Sequence, residues 1–217
     1  MARRFGRIVV KDPRDAKYSI RRGKPSRRTQ RYWNDGYAWL DQGELPACVG
    51  FSWSHWLLNA PLRQYLDPAF IYNVAKFYDE YKGENYDGTS VRAGAKVLAL
   101  AGFIQEYRWA KTLDDVIQTL LEVGPMVVGT TWYEGMSEPV AGRLAVTGQA
   151  EGGHAYLLTG VSLKTGLVRI KNSWSQDWGQ GGHGYLPLTD FQKLLADDGE
   201  ACIAFESDPF KAFKRAS

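Results

Sequence analysis

DQGELPACVGFS, residues 41–52, sets a glutamine six residues before a cysteine, at the point where a loop turns into an apolar run. Val49, Trp53 and Trp56 fall at helical spacing on one face, and Asn59-Ala60-Pro61 supplies a stop, so the pattern predicts a helix over 49–59 with Cys48 in its first turn. Exposed backbone amides at a helix N-terminus stabilise negative charge, and the thiolate is the attacking form of cysteine. Cys48 is therefore expected to be a nucleophile. A glutamine at this spacing ahead of such a cysteine is the layout of a thiol nucleophile with an oxyanion-hole partner.

Two downstream segments complete a constellation. GGHAYLLTG carries His154 and KNSWSQDWGQGGHGYL carries Asn172, giving the chain order Gln, Cys, His, Asn. An imidazole can accept the thiol proton and later return it to a leaving amine. A side-chain carbonyl on one ring nitrogen fixes the ring and leaves the other nitrogen facing sulfur.

With these residues in place, the chain resembles the papain-like cysteine peptidases over about residues 37–206, as a short, disulfide-poor member of bacterial or viral type. Lys171-Asn172-Ser173-Trp174, Trp178-Gly179 and residues 182–185 read as that family's asparagine segment, and the resemblance gives Trp174 the role of shielding the His–Asn hydrogen bond from water. Gly124-Pro125 ahead of the apolar run 126–128 matches the family's entry into its second lobe. Asp87-Gly88-Thr89-Ser90 resembles the segment along which substrate backbone binds, which nominates Gly88. The implied fold is α+β and two-lobed, a helical lobe beside an antiparallel β-barrel-like lobe, with the active site in the cleft. The implied catalytic set is Cys48, His154, Asn172 and Gln42.

The chain departs from the family pattern at several positions. Leu45 stands where a cysteine is usual, Ala47 precedes the nucleophile and Val49 follows it, so the common disulfide beside the site cannot form. Gly153 replaces the usual Asp or Asn before the histidine and is expected to alter how the imidazole is tuned. His154 and Asn172 lie 106 and 124 residues after Cys48, closer than the roughly 130–150 of the best-known members, so the connecting loops must be shorter. Residues 130–139, TTWYEGMSEP, are nominated as the specificity wall, with Trp132 and Met136 as contacts, and the expected substrate-binding set is these two with Gly88, Gly153 and Trp174.

A lone cysteine in an apolar segment is most often a small buried hydrophobe. Gln42, His154 and the KNSW segment together turn that reading around for Cys48, whereas Cys202 keeps it. His55 is expected to be packed and His183 to lie in a loop. Three histidines and two cysteines without close ligand spacing argue against a metal site, and no cofactor is expected.

At 217 residues and 44% hydrophobic content, the chain can bury a substantial core as one domain or two tight lobes. Eight tryptophans and twelve tyrosines are expected to fill the core and the lobe interface. Nothing approaches a transmembrane span or a secretory signal, and no structural disulfide is evident, which suggests a cytoplasmic setting. Residues 1–32 carry twelve Lys or Arg against two Asp, a basic arm on an acidic body, residues 33–217. Such an arm can dock on the body or meet an acidic partner or polyanion. It is shorter and less helical than the inhibitory propeptides of secreted family members. A competing expectation makes residues 7–10 a short edge strand.

The remaining pattern predicts helices over 69–78, 90–101, 112–122 and from Thr189, and strands at 126–131, 155–161, 167–172, 184–187 and 201–206. The helical lobe is expected at about 41–110 and the β lobe at about 111–206. The functional expectation is peptide-bond hydrolysis through a Cys48 acyl-enzyme with His154 as general acid and base. Acyl transfer, isopeptide or amide cleavage on the same residues, and a structural assembly role stay open, because a fold does not fix the acceptor.

Overall fold

Helix α1, Cys48–Leu58, starts at the expected nucleophile and is buried at ten of its eleven residues. The expected single apolar face is thus an underestimate. Helices α2, Pro68–Tyr78, and α3, Val91–Leu100, cover one side of α1 and the sheet covers the other. Gly50 and Gly94 permit this approach: an added Cβ would stand 2.2 Å from the Pro68 carbonyl oxygen and 2.3 Å from the Trp53 ring. This computed structural model describes residues 4–9, 12–20, 23–35, 38–59, 62–81 and 86–207. The stop at Ala60-Pro61 lies outside them.

Local side chains set the helix starts. Asp67 accepts the Phe70 N–H at 2.8 Å ahead of Pro68, and Ser90 accepts that of Ala93 at 3.1 Å. Thr112 and Asp115 form a reciprocal capping box on helix α4, Leu113–Glu122. The short helix α5, Glu134–Ser137, and helix α6, Leu188–Ala196, complete the set, with a 3-10 helix at Pro13–Tyr18.

The strands are β1 Gln30–Tyr32, β2 Ile104–Trp109, β3 Met126–Tyr133, β4 Ala150–Ser162, β5 Leu167–Lys171, β6 His183–Pro187 and β7 Glu200–Glu206. They form one antiparallel sheet in the order β2-β7-β3-β4-β5-β6, with β1 on β4. Alternation divides the core in two. Met126, Val128, Tyr156, Leu158, Ala201 and Ile203 face a cluster with α4 and α6, whereas Val127, Ala155, Leu157, Cys202 and Ala204 face α1 and α3. Burial on both faces explains the continuous apolar runs of β3 and β4.

Two expected boundaries shift. β2 falls inside the stretch assigned to the helical lobe but pairs with β7, its apolar pattern broken by Glu106 and Arg108, which form an ion pair. β1 belongs to the expected arm but pairs with residues 160–162 of β4, so the end of the arm is part of the sheet. Among the described residues, no helix is long and apolar enough to cross a membrane.

Candidate active site

The N-terminus of α1 meets the middle of β4. Ala155 N–H donates to Cys48 Sγ at 3.3 Å, which brings the neighbour of His154 onto the sulfur. His154 Nε2 pairs with Asn172 Oδ1 at 2.8 Å, and the Ser173 backbone N–H steadies the same oxygen at 2.8 Å. Trp174 stacks on the imidazole at 4.9 Å between centroids, while Trp132 meets it edge-on at 4.8 Å. The hydrogen-bonded ring is enclosed by aromatic surface.

Gln42 is fixed from the opposite side of the chain. Ser173 Oγ donates to Gln42 Oε1 at 2.6 Å, and Gln42 N–H donates to the Ser173 carbonyl at 2.9 Å. These two bonds tie the glutamine loop to the asparagine loop. They also orient Gln42 Nε2, which donates to the carbonyls of Leu45 at 2.9 Å and Arg4 at 2.8 Å.

The second of these carbonyls belongs to the N-terminal arm, which crosses the site as an extended segment. Arg7 N–H donates to the Gly153 carbonyl, Thr89 N–H to the Gly6 carbonyl and Ile8 N–H to the Thr89 carbonyl, each at 2.9 Å. Phe5 meets the His154 ring edge-on at 5.6 Å. Gly6 lies close enough to Cys48 for its backbone to favour the thiolate. The arm therefore docks on the body, in the cleft, which is the first of the placements its charge allowed. The expected strand over 7–10 is not formed: among the described residues of that stretch a single bridge, Arg7 to Thr89, is present, and Val10 lies outside the described residues.

This docking reverses the expected electrostatics of the nucleophile. Cys48 has no exposed surface, and burial pushes its thiol up to about 11, although N–H groups of Ala155, Gly6 and Val49 and the charge of Arg7 act in the other direction. Burial outweighs the helix terminus here, because an anion requires the solvent that enclosure removes.

The nominated substrate contacts separate into two groups. Gly88 and Gly153 line the arm: Gly88, at φ +96, approaches the Gly6 carbonyl, and an added Cβ at Gly153 would lie 2.2 Å from the Arg7 carbonyl oxygen. Trp174 lies over the imidazole. Trp132 and Met136 form no cleft wall; both are fully buried in the core behind His154, with Trp132 Nε1 bonded to Ser137 Oγ at 3.0 Å. Trp132 of β3 lies against the ring, and Met136 is the buried residue of α5.

The other expected bystanders are accounted for. Cys202 is buried in β7 and His55 is packed, its Nε2 accepting the Leu40 N–H at 3.2 Å. Burial holds His55 well below the usual imidazole range. His183 opens β6 rather than a loop and pairs with Asp35 at 2.9 Å. Among the described residues no group of three His, Cys, Asp or Glu could hold a metal. Sequence reasoning missed Phe5, Arg7 and Glu200. Gly6, a glycine inside a basic arm, was the available signal, because an added Cβ there would meet the Pro46 carbonyl oxygen at 1.8 Å.

Among solved structures, the chain is similar to xylellain, a cysteine protease from Xylella fastidiosa, with a TM-score of 0.75, 19% identity and coverage of 94% of this chain and 98% of that one. It is also similar to a digestive procathepsin from the larval midgut of Tenebrio molitor, with a TM-score of 0.70, 14% identity and coverage of 94% and 78%. A curated relative, a cysteine protease of Blomia tropicalis, is 30% identical over 88 residues, spanning 38% of this chain and 26% of that protein. No family model matches. The fold is papain-like.

Proposed function

We propose that the chain is a thiol-dependent peptidase in which Cys48 is the nucleophile and the docked arm keeps the enzyme closed. The observation that carries this reading is the extended Arg4–Val9 backbone held across Cys48 and His154 by Gly153, Thr89 and Gln42. A cleft with such backbone partners is shaped for peptide chain, which favours peptide substrates over small amides.

With the arm displaced, a substrate carbonyl replaces that of Arg4 at Gln42 Nε2. His154 takes the Cys48 proton, the sulfur bonds to the carbonyl carbon, and Gln42 and the Cys48 N–H hold the oxyanion. On collapse the C–N bond breaks and His154 gives the proton to the leaving amine. Water, deprotonated by His154, then adds to the thioester and releases the acid and the thiol. Asn172 holds the imidazole throughout.

In the docked state the Arg4 carbonyl holds the place on Gln42 Nε2 that a substrate carbonyl would take, and the Cys48 sulfur accepts the Ala155 N–H. The exposed Lys17, Lys24 and Arg27 of the arm remain available to an acidic partner. The test is hydrolysis of a fluorogenic peptide library by the full chain and by Cys48→Ala across pH 4–8. Activity that survives in Cys48→Ala, with contamination excluded, sinks the proposal.

A further inference from the structure

Arg7 does more than cross the cleft. Its side chain turns into the body and is almost fully buried. Nε lies 3.1 Å from Glu200 Oε1, and Nη2 donates to the Asp198 carbonyl at 2.5 Å. The slot passes over Gly129, where an added Cβ would stand 2.7 Å from Arg7 Nε. It opens next to Gly153, whose carbonyl binds the Arg7 N–H, one residue from His154. A cavity of about 470 Å³ continues from it, lined on the body's side by Trp109, Asp198 and Glu200 and on the other by Asp12 and Asp15 of the arm itself.

We infer that this slot is a specificity pocket for a basic side chain, and that Glu200 selects substrates carrying arginine or lysine at the position Arg7 now fills. The inference rests on the peptidase reading above. Gly129, Gly153, Asp198 and Glu200 all belong to the body, so the slot outlasts departure of the arm. Any peptide in the cleft then presents one side chain to it. An apolar side chain would bury the carboxylate without a partner, which costs far more than a missing methylene. A guanidinium matches the carboxylate and the carbonyl together. Burial also pushes the Glu200 carboxyl up to about 7 against the pull of Arg7, as expected where solvent is scarce. A latch confined to the surface would need no glycine-lined slot. Arg4, which pairs with Asp87 at 3.7 Å with both side chains mostly exposed, is the contrasting case.

The test uses the full-length Gly6→Val/Arg7→Ala chain, in which the arm is displaced by the clash with Pro46 and the pocket is vacated, at pH 8. Fluorescence anisotropy measures its affinity for a labelled peptide of sequence RFGRIV and for the same peptide with leucine in place of the second arginine. The arginine peptide should bind at least tenfold more tightly, and adding Glu200→Gln should reduce the ratio to within about threefold. A ratio near one, or a ratio unchanged by Glu200→Gln, overturns the inference. If that chain does not fold, Gly6→Val alone displaces the arm while leaving the pocket intact, and the same ratio is read. Hydrolysis of both peptides is followed separately. A kept ratio without hydrolysis upholds the pocket and counts against the peptidase reading alone.

Discussion

The backbone N–H of Arg7 donates to the carbonyl of Gly153 at 2.9 Å, so the residue beside the imidazole of His154 also anchors the N-terminal arm. Occupancy of the cleft and access to the sulfur are one equilibrium. On the proposed reading, anything that lifts Arg7 from Gly153 uncovers Cys48 and His154.

Gly6 is the point at which that equilibrium is most easily shifted. Its Cα passes the Pro46 carbonyl so closely that an added Cβ would lie 1.8 Å from the oxygen. Gly6→Ala should therefore open the cleft and raise the rate of Cys48 alkylation by iodoacetamide by about tenfold or more. In the intact chain, burial that pushes the thiol up to about 11 should make Cys48 react more slowly at neutral pH than a free thiol of pKa about 8.5. Mass spectrometry assigns the site. Fast labelling of the intact chain would show that the arm does not seal the sulfur.

Asn172 should matter to turnover more than to stability. Asn172→Ala removes the 2.8 Å bond to His154 Nε2, at a stability cost of about 1–2 kcal/mol, and frees the ring to rotate. In the Gly6→Ala background, kcat should fall by about tenfold or more while circular dichroism stays native. A loss confined to melting temperature would reduce Asn172 to a packing residue.

Stability should depend on pH through Glu200. The folded carboxyl titrates at about 7 against an ordinary 4.5, because burial outweighs the attraction of Arg7, with Asp15 and Arg92 contributing opposed smaller effects. A raised folded pKa means that the folded state binds the proton more tightly. The associated stability is complete below about 4.5 and is lost as pH rises through about 7, amounting to about 3 kcal/mol at most. The melting temperature of the wild type relative to Glu200→Gln should thus fall between pH 4.5 and 7.5. A difference that stays constant across that range contradicts the assignment.

The arm is also a structural element. Arg92, buried beneath it, pairs with Asp12 at 3.1 Å and with Asp15. Deleting residues 1–28 should leave that guanidinium without its nearest anions, at a cost of about 3–5 kcal/mol, and lower the melting temperature by several degrees. An arm serving only association with a polyanion would leave thermal stability unchanged on deletion.

The amino-acid sequence by itself determined everything that depends on neighbours along the chain. Asp67, Ser90 and Thr112 mark their helix starts because capping is a contact between residues three apart. The apolar runs of β3, β4 and β7 declare strands through composition, and Gln42, Cys48 and the KNSW segment carry the site because their chemistry is distinctive. β2 was illegible, since charged residues interrupt its apolar pattern and only pairing with β7 makes it a strand. Trp132 and Met136 show the same limit from the other direction. A local reading placed them in the cleft, whereas the packing of β3 against α5 buries them behind His154. The course of the arm was decided by tertiary structure alone. Its basic residues read equally well as a solvated tail until Gly129, Gly153 and Glu200, drawn from separate strands, were brought together to receive Arg7. The state of Cys48 follows from the same convergence, because a thiol's acidity depends on the solvent left around it, and that is fixed by residues more than forty positions away in either direction.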